Sequence, residues 1–146
     1  MDALKLLTER YSEKKLSAPA PDKHQLTQMF QAALHSPDHG RLHPYRFIVI
    51  EQDKMTELSR LLKSAVHELN LGEERLKKAE NLATRAPMII GVVAKIDPNI
   101  KKVPEWEQLL CAGCATYAIQ LAANALGFKN VWVSGPWLDG SDLRQA

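Results

Sequence analysis

The segment from Glu105 to Leu126 constrains the fold more than any other part of this chain. Leu109, Leu110, Ala112, Ala115, Ala118, Ile119, Leu121, Ala122, Ala123 and Ala125 fill it, with Pro104 at the start and Gly127 at the expected stop. The pattern predicts one long helix from Pro104 through Leu126 that is apolar nearly all round. Such a helix must be covered on every face, either centrally in a domain or against a second subunit. In a chain of 146 residues, a dimer interface is a natural way to cover the surplus. The segment nevertheless carries polar side chains, and it is not a bilayer span. The longest uninterrupted apolar stretch, Ala86 to Ala94 counting Pro87 and Gly91, is far too short to cross one.

The rest of the chain supplies partners for that helix. Asp2 to Arg10 reads as a short helix with an acidic start and a basic end. The stiff connector Ser17-Ala18-Pro19-Ala20-Pro21 follows, and Asp22 with Gln25 forms a capping box that opens a helix stopped by Ser36-Pro37. Arg46 to Glu51 is rich in aromatic and β-branched residues and reads as a strand. Asp53 is placed to cap a helix along Met55, Leu58, Leu61, Leu62 and Ala65, and a second helical stretch runs from Glu73 to Thr84. Met88 to Lys95 suits a central strand. Lys129 to Ser134 reads as a third strand, and Asp139 to Ala146 as the opening of a helix with Ser141 as its cap. The order ααβααβαβα is an α+β arrangement, a mixed or antiparallel sheet flanked by helices.

Hydrophobic residues make up 45% and charged residues 25% of the chain, with a net charge of +2. That mix excludes disordered, collagen-like and disulfide-scaffold classes and gives no general case for nucleic acid. The length suits a single domain over 1–146. The N-terminal decapeptide MDALKLLTER lacks the apolar core of a secretory signal. With two cysteines and no export signal, the expected compartment is the cytoplasm.

Three clusters could carry chemistry. Arg10-Tyr11-Ser12, with Lys14 and Lys15 beyond, can converge on a phosphate or can simply answer a helix dipole. His35, His39 and His43 surround Asp38 in the loop SPDHGRLHPY from Ser36 to Tyr45, a candidate binding loop. Their spacing lacks a helical H-x-x-x-H face and a second ligand motif, so no metal is expected. Cys111 and Cys114 lie one turn apart among alanines, without the strand and helix N-terminus of a redox C-x-x-C motif, and read as buried packing residues. Dinucleotide, P-loop and nucleophile-elbow signatures are absent from the sequence.

Read together, R-Y-S near residue 10, S-P-D-H-G-R-L-H-P-Y-R-F-I-V-I-E from Ser36, R-A-P-M-I-I-G-V-V-A-K from Arg85, W-E-Q from Trp106, A-G-C-A from Ala112 and V-W-V-S-G from Val131 resemble the nitroreductase family of flavin enzymes. Within it the chain looks closest to the small NAD(P)H nitroreductases of enteric and related bacteria. The resemblance implies an α+β homodimer with FMN at the subunit interface. In that family two electrons pass from NAD(P)H through the flavin to a small organic acceptor, such as a nitroaromatic or a quinone. It further implies that Arg10, Tyr11 and Ser12 grip the FMN phosphate and ribityl chain. His35 and His39 would reach the same cofactor from the partner subunit, and Trp132, Val133 and Ser134 would line it. The nicotinamide would fall at Ala122, Ala123, Asn124, Ala125, Leu126 and Gly127. No catalytic dyad is expected, because the flavin carries the chemistry. Position 11 is tyrosine, 35 histidine and 133 valine where relatives often carry arginine. A flavin-binding dimerisation module without turnover, or a flavin enzyme for dehalogenation or dehydrogenation, therefore stays open beside the reductase. Relatives also continue with another apolar strand and a C-terminal segment. These 146 residues are thus expected to be part of a longer polypeptide, or a truncated product that retains flavin poorly.

Overall fold

A computed structural model of the chain describes residues 2–146. The elements follow in the order α1 (Ala3–Glu9), α2 (Lys23–Leu34), β1 (Tyr45–Ile50), α3 (Met55–Glu68), α4 (Glu73–Leu82), β2 (Ile89–Ala94), α5 (Glu105–Ala125) and α6 (Ser141–Gln145). Short 3-10 turns lie at His39–Arg41, Gln52–Lys54 and Pro136–Asp139. The chain divides into two compact units. The first comprises the chain up to Glu13, Ala20–Val49 and Ile90–Val131; the second comprises Lys14–Pro19, Ile50–Ile89 and Trp132–Ala146.

The first unit is organised by α5. One of its stripes, Cys111, Ala112, Ala115, Ile119 and Ala123, is buried with Met29 and Ala33 of α2 and Tyr45 of β1. Alternation along β1 turns Tyr45 and Phe47 to this core, where Phe47 stacks on Phe30 and Tyr45 at centroid distances of 5.4 and 5.0 Å. Strands β1 and β2 form a two-stranded sheet. Lys95 N donates to Pro44 O and Gly91 lies against Ile48, so residue numbers rise on one strand as they fall on the other. The pair is antiparallel. Gln108 is 1% exposed and satisfies its whole amide group. Nε2 donates to Asp97 O and Val103 O at 2.9 and 2.8 Å, and Oε1 accepts from Asp97 N at 2.9 Å. This side chain fastens the loop after β2 to the first turns of α5. The far end of α5 closes in a Schellman motif, with Phe128 N bonded to Ala123 O and Gly127 N to Asn124 O. That turn requires the left-handed φ of +91° at Gly127.

The second unit packs α3, α4 and α6 around Met55, Leu58, Leu62, Ala65, Val66, Ala79 and Trp137. Gly140 touches α3 so closely that a Cβ there would sit 2.3 Å from the Ala65 Cβ. Ser141 N donates to the Glu68 carboxylate, and Ser64 Oγ to Asp142.

Several local expectations change. The Asp22–Gln25 capping box forms as read, but Asp53 lies in a 3-10 turn and gives α3 no side-chain cap. Ser141 is the first residue of α6 rather than its cap, since its amide is taken by Glu68. Lys129–Ser134 is not a strand. A strand needs a ladder partner, and this segment receives a single bond from Glu13 N to Asn130 O rather than a ladder among the described residues. β2 is likewise one half of a pair rather than a central strand, and its residues are half-buried or exposed.

Candidate functional site

Two of the residue groups read from the sequence, the Arg10-Tyr11-Ser12 turn and the histidine loop, lie on the first unit and meet α5 at two separate places. Near the C-terminal half of the helix, α1 ends at Arg10 and the chain turns extended. Glu13 N then bonds to Asn130 O at 3.0 Å. Asn130 is tied in turn to α5: its Nδ2 donates to Gln120 O at 3.1 Å, and its Oδ1 accepts from Gln120 Nε2 at 3.0 Å. The Lys129 ammonium rests over the Tyr11 ring, 4.3 Å from its centroid. Arg10 Nη2 reaches Ser12 Oγ at 3.4 Å, while Arg10 Nε is buried and has no hydrogen-bond partner among the described residues. A guanidinium with a buried donor to spare, a serine hydroxyl and a neighbouring lysine make a turn suited to an anion of phosphate size.

The second place is the N-terminal end of α5. The loop from Ser36 to Tyr45 is rigidly built. The Asp38 carboxylate accepts from Leu42 N at 3.1 Å and His43 N at 2.8 Å, and Gly40 and Arg41 hold left-handed φ values of +80° and +53°. This geometry sets His39 on a 3-10 turn with Nδ1 2.7 Å from Glu107 Oε1 in the first turns of α5. His35, at the end of α2, places Nδ1 2.8 Å from Gln31 O. His43 packs edge-on against Tyr45.

From Glu107 to Gln120 α5 rises by roughly 20 Å. The His39 anchor and the Arg10–Asn130 anchor therefore lie far apart along one helix of one chain. Trp132, Val133 and Ser134 are exposed residues of the second unit. Ala122–Gly127 form the end of α5 and its Schellman turn, where Asn124 Nδ2 donates to Phe128 O and Asn124 Oδ1 is buried with no partner among the described residues. Cys111 is buried and Cys114 exposed, and both are free thiols. Burial pushes the Cys111 thiol up to about 11, assisted by the Asp38 carboxylate beside it and by Cys114. It is therefore a poor nucleophile at neutral pH.

Glu107, Gln120, Lys129 and Asn130 were not singled out by sequence reasoning. Glu107 reads locally as a carboxylate in a helix's first turns, and its partner is 68 positions away. The one available hint was that polar residues are scarce along α5.

Residues 7–145 match the Nitroreductase family. The chain is 65% identical over its whole length to a protein of Haemophilus influenzae named "Putative NAD(P)H nitroreductase", of which it spans 79%. The crystal structure of a nitroreductase-like family protein from Bacillus cereus superposes with a TM-score of 0.83 at 19% identity, over 99% of this chain and 76% of that one. A nitroreductase with bound FMN from Desulfitobacterium hafniense is 26% identical, with a TM-score of 0.60, over 85% of this chain and 65% of that one. The chain belongs to the nitroreductase family, and its α+β architecture is that family's fold.

Proposed function

We propose that this protein is an NAD(P)H-dependent FMN oxidoreductase that delivers two electrons to a small organic acceptor of the nitroaromatic or quinone type. The observation that carries the reading is the anion-suited turn at Arg10, Tyr11 and Ser12, with its buried and unpartnered Arg10 Nε, in a chain matching the Nitroreductase family over residues 7–145. That match spans both compact units, which favours treating 1–146 as one nitroreductase domain. FMN, when bound, supplies the hydride chemistry. The protein's part is to bind, orient and exclude water.

In this reading Arg10, Ser12 and Tyr11 hold the phosphate end. Asn130 and Gln120 keep that turn in place. His35 and His39 come from a second copy, consistent with the roughly 20 Å that separates the two anchors along a single α5. The same helix supplies the reason to dimerise. Trp106, Leu109 and Leu110 are 64%, 57% and 60% exposed, an apolar face that a second copy would cover. Trp132, Val133 and Ser134 line the cofactor. Asn124 Oδ1, buried and with no partner among the described residues, is an acceptor suited to a nicotinamide carboxamide at Ala122–Gly127. The free thiols fit the reducing cytoplasm.

The test is the visible spectrum of the purified protein, followed by Arg10→Ala. The protein is expected to be yellow and to bleach with reduced nicotinamide. Arg10→Ala is expected to weaken FMN by about 10- to 100-fold and to change riboflavin binding much less, since riboflavin has no phosphate. Equal losses for both ligands would remove Arg10 from the phosphate. Yellow protein that does not bleach would instead favour a flavin-binding module without turnover.

A further inference from the structure

We propose that Glu107 is a positioning residue that sets the tautomer of His39 and so decides which nitrogen of that ring meets the flavin. The proposal rests on the reading above, in which His39 reaches FMN. The geometry is a 2.7 Å contact between His39 Nδ1 and Glu107 Oε1. An ionised carboxylate can only accept, so Nδ1 must carry the proton and donate it. Nε2 is then the one ring nitrogen left for a ligand. In the neutral ring it is an acceptor, matched to a hydroxyl of the ribityl chain or to a ring N–H.

The arrangement is built from both sides. The Asp38-braced turn, with its left-handed Gly40 and Arg41, fixes the His39 backbone. Glu107 is held in the first turns of α5 by the hydrogen bond its backbone N–H donates to Pro104 O at 3.0 Å, next to Gln108, whose amide is fully used in fastening the loop above. The Glu107 side chain is 31% exposed and that of His39 46%. The pair adds little to stability as an ion pair, and its consequence lies in ring orientation instead. His35 repeats the logic with a main-chain acceptor, Gln31 O. Glu107 is the one of the two anchors that a substitution can remove.

Two measurements test this. Long-range proton–nitrogen NMR of the histidine rings, with the His39 signal identified by its loss in His39→Ala, should show an Nδ1–H tautomer in the parent protein and a majority Nε2–H tautomer in Glu107→Ala. FMN dissociation constants should then form a non-additive cycle. Glu107→Ala is expected to weaken FMN by up to about tenfold, the upper worth of one neutral hydrogen bond. In a His39→Ala background the same change should weaken it no further. Glu107→Gln, which keeps a side-chain carbonyl acceptor, should recover most of the loss. Additive penalties, or an Nδ1–H ring that persists without Glu107, would overturn the proposal while leaving the flavin reading intact. A His39→Ala protein with undiminished FMN affinity would overturn the placement of His39, and this proposal with it.

Discussion

Helices α3 and α5 answer the same question in opposite ways. α3 buries Met55, Leu58, Leu61, Leu62, Ala65 and Val66 and turns Glu57, Arg60 and His67 to solvent. Met55, Leu58, Leu62, Ala65 and Val66 pack into the core of its own unit, so its amphipathic stripe is matched there. α5 also buries one stripe, but its other side exposes Trp106, Leu109, Leu110 and Tyr117. A helix that one chain can satisfy needs two kinds of face. A helix apolar on both is suited to a surface beyond its own core, and Glu107, Gln108, Gln120 and Asn124 of α5 fasten neighbouring loops and the candidate site.

The largest effect should come from charging the uncovered side. Leu110→Glu is expected to convert a dimer to a monomer at micromolar concentration and to weaken FMN by more than about 30-fold, because an interface hot spot is worth at least ~2 kcal/mol and the proposed site draws on both copies. Light scattering and a flavin titration read both effects. A parent protein that is already monomeric, or a variant that stays dimeric, would break the contrast between the two helices.

A matched pair of truncations sharpens it. Leu62 on α3 is 2% exposed, so Leu62→Ala should lower the unfolding free energy by about 2–5 kcal/mol. Leu110→Ala, measured in protein dilute enough to be monomeric, should cost no more than about 0.5 kcal/mol, because that side chain is mostly in water. Urea midpoints at constant slope decide the matter. Equal costs at the two positions would mean that the exposed face of α5 is already covered within the chain.

The same contrast explains what could be read before the structure. Local rules placed every helix and both paired strands: the period of α3, the Asp22–Gln25 box, and Gly127 after α5 are written within a few residues of where they act. Lys129–Ser134 went wrong because its β-branched residues are a local signal, whereas a strand requires a ladder partner from elsewhere. In the candidate site the residue types at Arg10, Tyr11 and Ser12 suggested an anion without any geometry. What holds them could not be read. Asn130 reciprocates with Gln120 across a helix end, Lys129 covers Tyr11, and Glu107 meets His39 after a gap of 68 residues. Such pairs are set by packing, and no spacing rule in one sequence encodes them.

The smallest expected effect concerns the buried stripes themselves. That of α3 contains no titratable side chain, whereas that of α5 contains Cys111, whose thiol is held up to about 11, by burial first and then by Asp38 and Cys114. The unfolded chain gives up this proton nearer pH 9, so folding favours the neutral thiol. Its contribution is complete below about pH 9 and is lost as the pH rises through about 11, because in that window unfolding releases a proton. Tyr45, raised by burial in the same core, adds a loss of the same sign at higher pH, so a comparison with Cys111→Ala is needed to isolate the thiol. Urea midpoints taken across this range should fall more steeply for the parent than for Cys111→Ala, by on the order of 1–2 kcal/mol in total. Parallel profiles would show that Cys111 ionises as freely in the folded chain as in the unfolded one. The buried faces of α5 and α3 would then be electrostatically alike, and the difference between the helices would reduce to their outer surfaces.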